Sequence, residues 1–305
     1  MNAIFLAMPS AISQGVLWGI MVLGIFITYK ILDIADLTVD GSFALGGCVC
    51  AMLIVQNGWN PWLALLMAAV AGMLAGAVTG ILHTVFEIPA ILAGILTQIS
   101  LWSVNLKIMG QSNVPLLNSD TIFTGLVNTM GLKQSNAALI IGIVIAIILI
   151  VVLYWFFGTE LGSALRATGN NIDMIRALGV NTKVMKVLAL MLSNALVGLS
   201  GGLVCQSQKY ADINMGTGAI VIGLAAIVIG DVLFGRLRSF GSKLTSAVLG
   251  SVVYFIIRAI VLQLGMDANY MKLLSAIIVA LALSVPVVVQ KVKAKKAYSA
   301  EGGAK

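Results

Sequence analysis

"ALIIGIVIAIILIVVLYWFF", residues 138–157, is a run of 20 residues without a charge. As an α-helix it rises about 30 Å, the thickness of the hydrocarbon core of a bilayer. It lacks the dyad alternation of a transmembrane β-strand. The same reading extends along the chain, which is 60% hydrophobic and 10% charged over 305 residues, with a mean hydropathy of +1.07. An ordinary soluble domain carries roughly 25% charged residues. The expected fold is therefore an all-α polytopic integral membrane protein.

Reading apolar runs between polar or Gly/Pro breaks places about nine transmembrane segments: 10–32, 42–56, 62–82, 89–109, 138–157, 186–205, 217–233, 244–265 and 270–289. The second is short and Gly-rich, and reads either as a full span or as a broken, re-entrant helix. Residues 1–290 form a single transmembrane domain, followed by a basic tail over 291–305. The N-terminal MNAIFLAMPSAISQG has no basic residue ahead of its apolar stretch, so it reads as an outside lead-in and not as a cleavable signal.

Positive charge orients the spans, because loops rich in Lys and Arg stay cytoplasmic. With nine spans and the C-terminus inside, Lys30, Arg166, Arg176, Lys183, Lys186, Arg236, Arg238, Lys243 and the lysines of the tail share the cytoplasmic side. Lys107, Lys133, Lys209 and Lys272 fall outside, and Arg258 lies within a span. This distribution accounts for the net charge of +7 without nucleic acid.

Several chemistries have no residues to carry them. Gly is never followed directly by Lys, so no P-loop is present and the chain does not hydrolyse ATP itself. His83 is the single histidine, which excludes a multi-histidine metal site; at the end of the third span it reads as a helix-end residue. Cys48 and Cys50 sit inside an apolar run and read as small hydrophobes. Asp33, Asp36, Asp40, Glu87, Asp231 and Asp267 all fall at or beyond helix ends, which disfavours an ion-coupled carrier built on buried carboxylates.

One long polar segment interrupts the oil: "RATGNNIDMIRALGVNTKVMK", residues 166–186. Glu160 to Thr168 has helical spacing, Gly169, Asn170 and Asn171 break it, and Asn171 caps a second short helix with Asp173 in its first turn. Gly179 ends that helix as a left-handed cap. Leu161, Leu165, Met174, Ile175 and Leu178 give the pair an apolar face able to dock on another protein.

This segment with the helix after it, "LGSALRATGNNIDMIRALGVNTKVMKVLALMLSNALVGLSGGL", resembles the cytoplasmic loop of permeases of the branched-chain amino acid and ribose type of ABC importer. The matching positions are Arg166, Ala167, Gly169, Asn170 or Asn171, Arg176, Leu178, Gly179, Val180, Asn181 and the run Gly198, Gly201, Gly202. "IADLTVDGSFALGG", residues 34–47, is similar to the family's element at the second helix, with Asp40 as an extra residue. "MGTGAIVIGLAAIVIGDVLFG", residues 215–235, is similar to its Gly-rich penultimate region.

The resemblance implies a permease subunit, not an enzyme, in the plasma membrane with a cytoplasmic C-terminus. It implies pairing with a second copy, an ABC ATPase subunit on each polar segment (159–186), and an extracellular solute-binding protein. ATP and Mg belong to the ATPase, and this chain itself takes no cofactor or metal. The implied cargo is a small polar metabolite, an amino acid ahead of a sugar or nucleoside, with an aromatic one in view. An ATPase-independent secondary carrier is the rival. Gln98, Trp102 and Asn105 share one face of an unusually polar fourth span, and with Arg258 in the eighth they are the candidate lining of a path. Helix packing explains the same polar face equally well.

Overall fold

A computed structural model describes residues 2–117, 119–234 and 239–265, with scattered positions between 270 and 284. Arg236, Arg238, Asp267, most of the expected ninth span and the tail over 291–305 lie outside the described residues. The chain is an all-α membrane bundle. In order it forms α1 (Asn2–Phe26), which continues as a π-helical turn (Ile27–Ile31), α2 (Val39–Val55), α3 (Pro61–Thr84), α4 (Ala90–Met109), β1 (Asn113–Pro115), α5 (Thr124–Met130) and α6 (Gln134–Gly158). There follow α7 (Glu160–Asn170), α8 (Ile172–Ala177), α9 (Thr182–Gln208), β2 (Tyr210–Asp212), α10 (Ala219–Phe234) and α11 (Phe240–Gln263).

Among the described residues, six helices are long and apolar enough to cross a membrane: α1 with its π turn, α3, α4, α6, α9 and α11. Helices α2 and α10, of 17 and 16 residues, are shorter. The axis of the bundle is α9, buried along most of its length, whereas α4 and α6 are mostly exposed. The apolar side chains α6 turns outward, such as Ile147, Val151 and Trp155, need lipid to cover them.

Glycine sets how closely helices approach the axis. A Cβ on Gly72 or Gly76 of α3 would overlap the carbonyl oxygens of Asn194 or Leu190 in α9. The GxxxGxxxG strip of α3 therefore seats α9 of the same chain. Gly15 and Gly19 of α1 do the same against Val252 and Val248 of α11.

Side-chain bonds to neighbouring backbones index the helices in depth. Ser200 and Ser193 of α9 donate to the carbonyls of Leu17 and Gly24 in α1, both at 2.8 Å. These bonds fix α1 antiparallel to α9. Lys30, Arg166, Lys183 and Lys243 gather at one end of the bundle, called the basic end below. Strand β1 pairs antiparallel with β2 at the opposite end. There Lys133 and Lys209 flank α6 and α9.

Candidate translocation path and coupling surface

Helix α2 starts inside the bundle. After the π turn the chain doubles back, with Asp33 at φ 55°, so that Asp36 meets Asn194 in the middle of α9. Asn194 Nδ2 donates to Asp36 Oδ2 at 2.7 Å, and Thr38 N donates to Asp36 Oδ1 at 2.9 Å. Asp36 is 3% exposed. Asp36 does lie beyond a helix end, as expected, but that helix end is buried inside the bundle and not at its surface. The reason is tertiary: residues 32–38 are not helical, and while Asp33 and Ala35 stay exposed, Leu32, Asp36 and Thr38 are buried against the bundle. A hydroxyl chain, Thr38 to Thr79 at 2.7 Å and Thr79 to Thr97 at 2.9 Å, joins this break to α3 and α4.

Helix α10 also starts inside. Residues 213–218 descend from β2 along α2, where Met215 packs on Gly47 and Gly216 lies against the Asp40 carbonyl. Asp40, in the first turn of α2, then receives the first turn of α10: Gly218 N donates to its Oδ2 at 2.8 Å and Ile220 N to its Oδ1 at 2.9 Å. Two shorter helices thus begin at one partly buried junction and run towards opposite ends of the bundle. Discontinuous helices of this kind build transport sites in membrane proteins.

The four residues expected to line a path fall into two cavities. Gln98, Trp102 and Asn105 line one of about 260 Å³, together with Asp40, Gly41 and Thr217. Trp102 Nε1 donates to Asn214 Oδ1 at 3.2 Å. Asn105 is fully buried, and neither its Nδ2 nor its Oδ1 has a protein partner. Arg258 lines a second cavity of about 770 Å³ between α1, α9, α10 and α11, with Trp18, Phe255 and again Thr217. Thr217, in the descending loop, borders both.

At the basic end, α7 is capped by Thr159, whose Oγ1 accepts from Gly162 N at 3.3 Å, and α8 by Asn171, whose Oδ1 accepts from Met174 N at 3.0 Å. Asn181 caps α9 by accepting from Lys183 N and Val184 N at 3.1 and 3.3 Å. Gly179 takes φ 83° and ends α8. Two expectations change. Helix α7 runs through Gly169 and Asn170 and breaks only at Asn171. Gly169 is needed for another reason: a Cβ there would overlap the Ile31 carbonyl at the end of the π turn.

Leu165 and Ile175 also differ from expectation, being 1% and 4% exposed: they fasten the helix pair to the bundle. Arg166 and Asn170 line a cavity of about 560 Å³ with Lys30, Asp231 and Lys243, and the Arg166 guanidinium sits 5.4 Å from the Phe240 ring. Arg176 Nε donates to Thr182 Oγ1 at 3.1 Å. Leu161, Met174 and Leu178, at 54%, 50% and 70% exposed, form the outward apolar surface. His83 Nδ1 contacts the Ile88 carbonyl at 2.9 Å, closing the turn between α3 and α4.

Residues 8–283 match the family described as branched-chain amino acid transport system, permease component. The chain belongs to this family of permeases. The permease is similar to a tyrosine transport system permease protein of Clostridioides difficile, at 39% identity over 88% of each chain. An uncharacterized protein of Rickettsia prowazekii is 34% identical over 90% of this chain and 96% of its own. The ribose import permease protein RbsC of Escherichia coli is 26% identical over 82% of this chain and 76% of its own. A solved structure, PsaBC from Streptococcus pneumoniae in complex with Fab, covers 82% of this chain and 88% of its own at 18% identity, with a TM-score of 0.36.

The permease is a multi-pass membrane transport component and not an enzyme. The sequence pointed to Gln98, Trp102, Asn105 and Arg258 but not to Asp36 and Trp18, which are buried, or to Asp40 and Thr217, which line the cavities. The four-residue spacing of Asp36 and Asp40, two carboxylates within otherwise apolar surroundings, was the available signal.

Proposed function

We propose that this permease is the membrane subunit of an ABC importer that carries an amino acid inward, an aromatic one within that class, by ATP-driven alternating access. The observation that carries the substrate is the 39% identity, along 88% of both chains, to a permease named for tyrosine transport. A sugar is the second reading, favoured by the likeness to a ribose import permease.

The basic end faces the cytosol, in keeping with the positive-inside bias. There α7 and α8 are the seat of an ATPase subunit, which binds ATP and Mg; Leu161, Met174 and Leu178 are its contact, and Arg166, Gly169, Asn170, Asn171, Arg176, Gly179 and Asn181 hold the pair in shape. A solute-binding protein delivers cargo at the opposite end, and a second copy of the chain completes the membrane unit. The half-helix junction and the cavities beside Thr217 are the path.

The test is reconstitution of the permease with its ATPase and binding protein, followed by uptake of labelled tyrosine, leucine and ribose. ATP-dependent uptake of tyrosine supports the reading. Uptake of ribose alone transfers it to sugars, and uptake that persists without the ATPase makes the protein a carrier.

A further inference from the structure

We infer that the cavity of about 770 Å³ between α1, α9, α10 and α11 is a binding site for a carboxylate attached to an aromatic body, with Arg258 as the carboxylate's partner. This inference rests on the amino-acid reading above and assigns which protein group reads which part of the cargo. The volume is within the ~300–1,000 Å³ of sites that enclose small ligands. Its wall includes Gln14, Trp18, Gln208, Thr217, Phe255 and Arg258.

Three observations converge. Arg258 is the single charged residue lining this cavity among the described residues, and no carboxylate among them pairs with it. This half-buried guanidinium has no anion beside it among the described residues, and its planar fork matches a carboxylate. Second, its carbon Cζ lies 5.6 Å from the Phe255 ring, which fixes the cation against an aromatic wall.

Third, Trp18 lines the same cavity at 7% exposure, and its indole N–H has no acceptor. That N–H has almost no exposed surface, so what Trp18 offers the cavity is its ring. Trp18 is itself held by Phe43 and Phe255, with ring centroids at 4.6 and 5.4 Å. The two rings beside the cation form a surface for a flat apolar group. Gln208 Nε2 donates to Gln14 Oε1 at 3.3 Å on the wall and adds neutral polar groups, which leaves Arg258 to set the charge preference.

The test is equilibrium binding to the purified full-length permease in nanodiscs at millimolar ligand, using three probes. L-Tyrosine has both charged groups, 3-(4-hydroxyphenyl)propionate keeps only the carboxylate, and tyramine keeps only the ammonium. Tyrosine and the propionate are expected to bind in competition, and tyramine at least about tenfold more weakly. Arg258→Gln should weaken the two carboxylates roughly 10- to 100-fold, the scale of one charge-assisted hydrogen bond, while leaving tyramine unchanged. Arg258→Lys should recover part of the loss.

Equal affinity for all three probes, no binding of any, or full binding by Arg258→Gln overturns the inference. If Arg258→Gln does not fold, the comparison of probes on the unaltered protein and Arg258→Lys decides. Asp267→Asn should leave binding unchanged; an equal loss of thermal stability in Asp267→Asn and Arg258→Gln with unaltered probe binding marks a structural pair and overturns it. In the assembled importer, normal tyrosine uptake by Arg258→Gln overturns this inference alone. Transport of ribose and not tyrosine overturns the amino-acid reading instead.

Discussion

The carboxylate of Asp40 in α2 holds the first turn of α10 through Ile220, whose N–H donates to Asp40 Oδ1 at 2.9 Å, while Gly218 N donates to Oδ2 at 2.8 Å. The pair joins the starts of two short helices, and it satisfies donors that an apolar interior cannot. Asp40→Ala is expected to destabilise the protein by about 1–3 kcal/mol, and Asp40→Asn by less because one acceptor remains. Thermal melting of the purified variants reads both; an Asp40→Ala protein as stable as the parent would remove the capping role.

Asn105 gives the opposite sign. Both its polar side-chain atoms are buried without protein partners, beside the cavity it shares with Gln98 and Trp102. Asn105→Leu should therefore leave stability unchanged or raise it by up to about 1 kcal/mol. If the residue lines the path, ATP-driven uptake falls several-fold in the same variant. Unchanged uptake at unchanged stability would reduce Asn105 to a packing position.

Asp36 and Asn194 should behave as a unit. Asn194→Leu strips the buried carboxyl group of its 2.7 Å side-chain donor, for an expected loss of roughly 1–3 kcal/mol. Adding Asp36→Asn replaces the stranded carboxyl group, so the double variant should lose less than the sum of the two single changes. Simple additivity in the double-mutant cycle would deny the interaction.

Gly169 and Gly125 provide a matched contrast. A Cβ at Gly169 would overlap the Ile31 carbonyl, whereas at Gly125 nothing lies within 4 Å. Gly169→Ala should cost about 1–3 kcal/mol by forcing α7 off the end of α1. Gly125→Ala should be neutral or slightly stabilising, because it lies within α5. Equal melting temperatures for the two variants would sink the argument.

Leu178 and Gly179 separate surface from shape. Leu178 is 70% exposed, so Leu178→Asp should leave folding intact yet weaken ATPase co-purification if this is the docking face. Gly179 sits at φ 83° in open space, so Gly179→Ala costs about 1 kcal/mol through backbone strain and Gly179→Asn less. Retention of the ATPase by Leu178→Asp would place the contact elsewhere on the basic end.

Much of the helical pair at the basic end was legible because its determinants are local. Asn171 caps and Gly179 terminates, and each acts within three residues of itself. Gln98, Trp102 and Asn105 were legible as one face because helical periodicity carries positions 98, 102 and 105 to the same side. Leu165 and Ile175 were misread as docking surface because an apolar side chain carries no mark of whether its own bundle or a partner covers it.

By itself, the sequence determined that this chain is a helical membrane protein, which way its charge bias runs, and where the second of its short polar helices begins and ends. Those properties follow from hydropathy, helical rise and capping, all of which operate over a few residues. Only the tertiary structure decided that residues 32–38 and 213–218 re-enter the bundle, that Asp36 and Asp40 are interior groups, and that Arg258 faces a different cavity from Asn105. The physical reason is that a non-helical, charged stretch is excluded from lipid but not from protein. Whether such a stretch lies at the membrane surface or inside the bundle depends on partners such as Asn194 and Ile220, which lie 158 and 180 residues away in sequence.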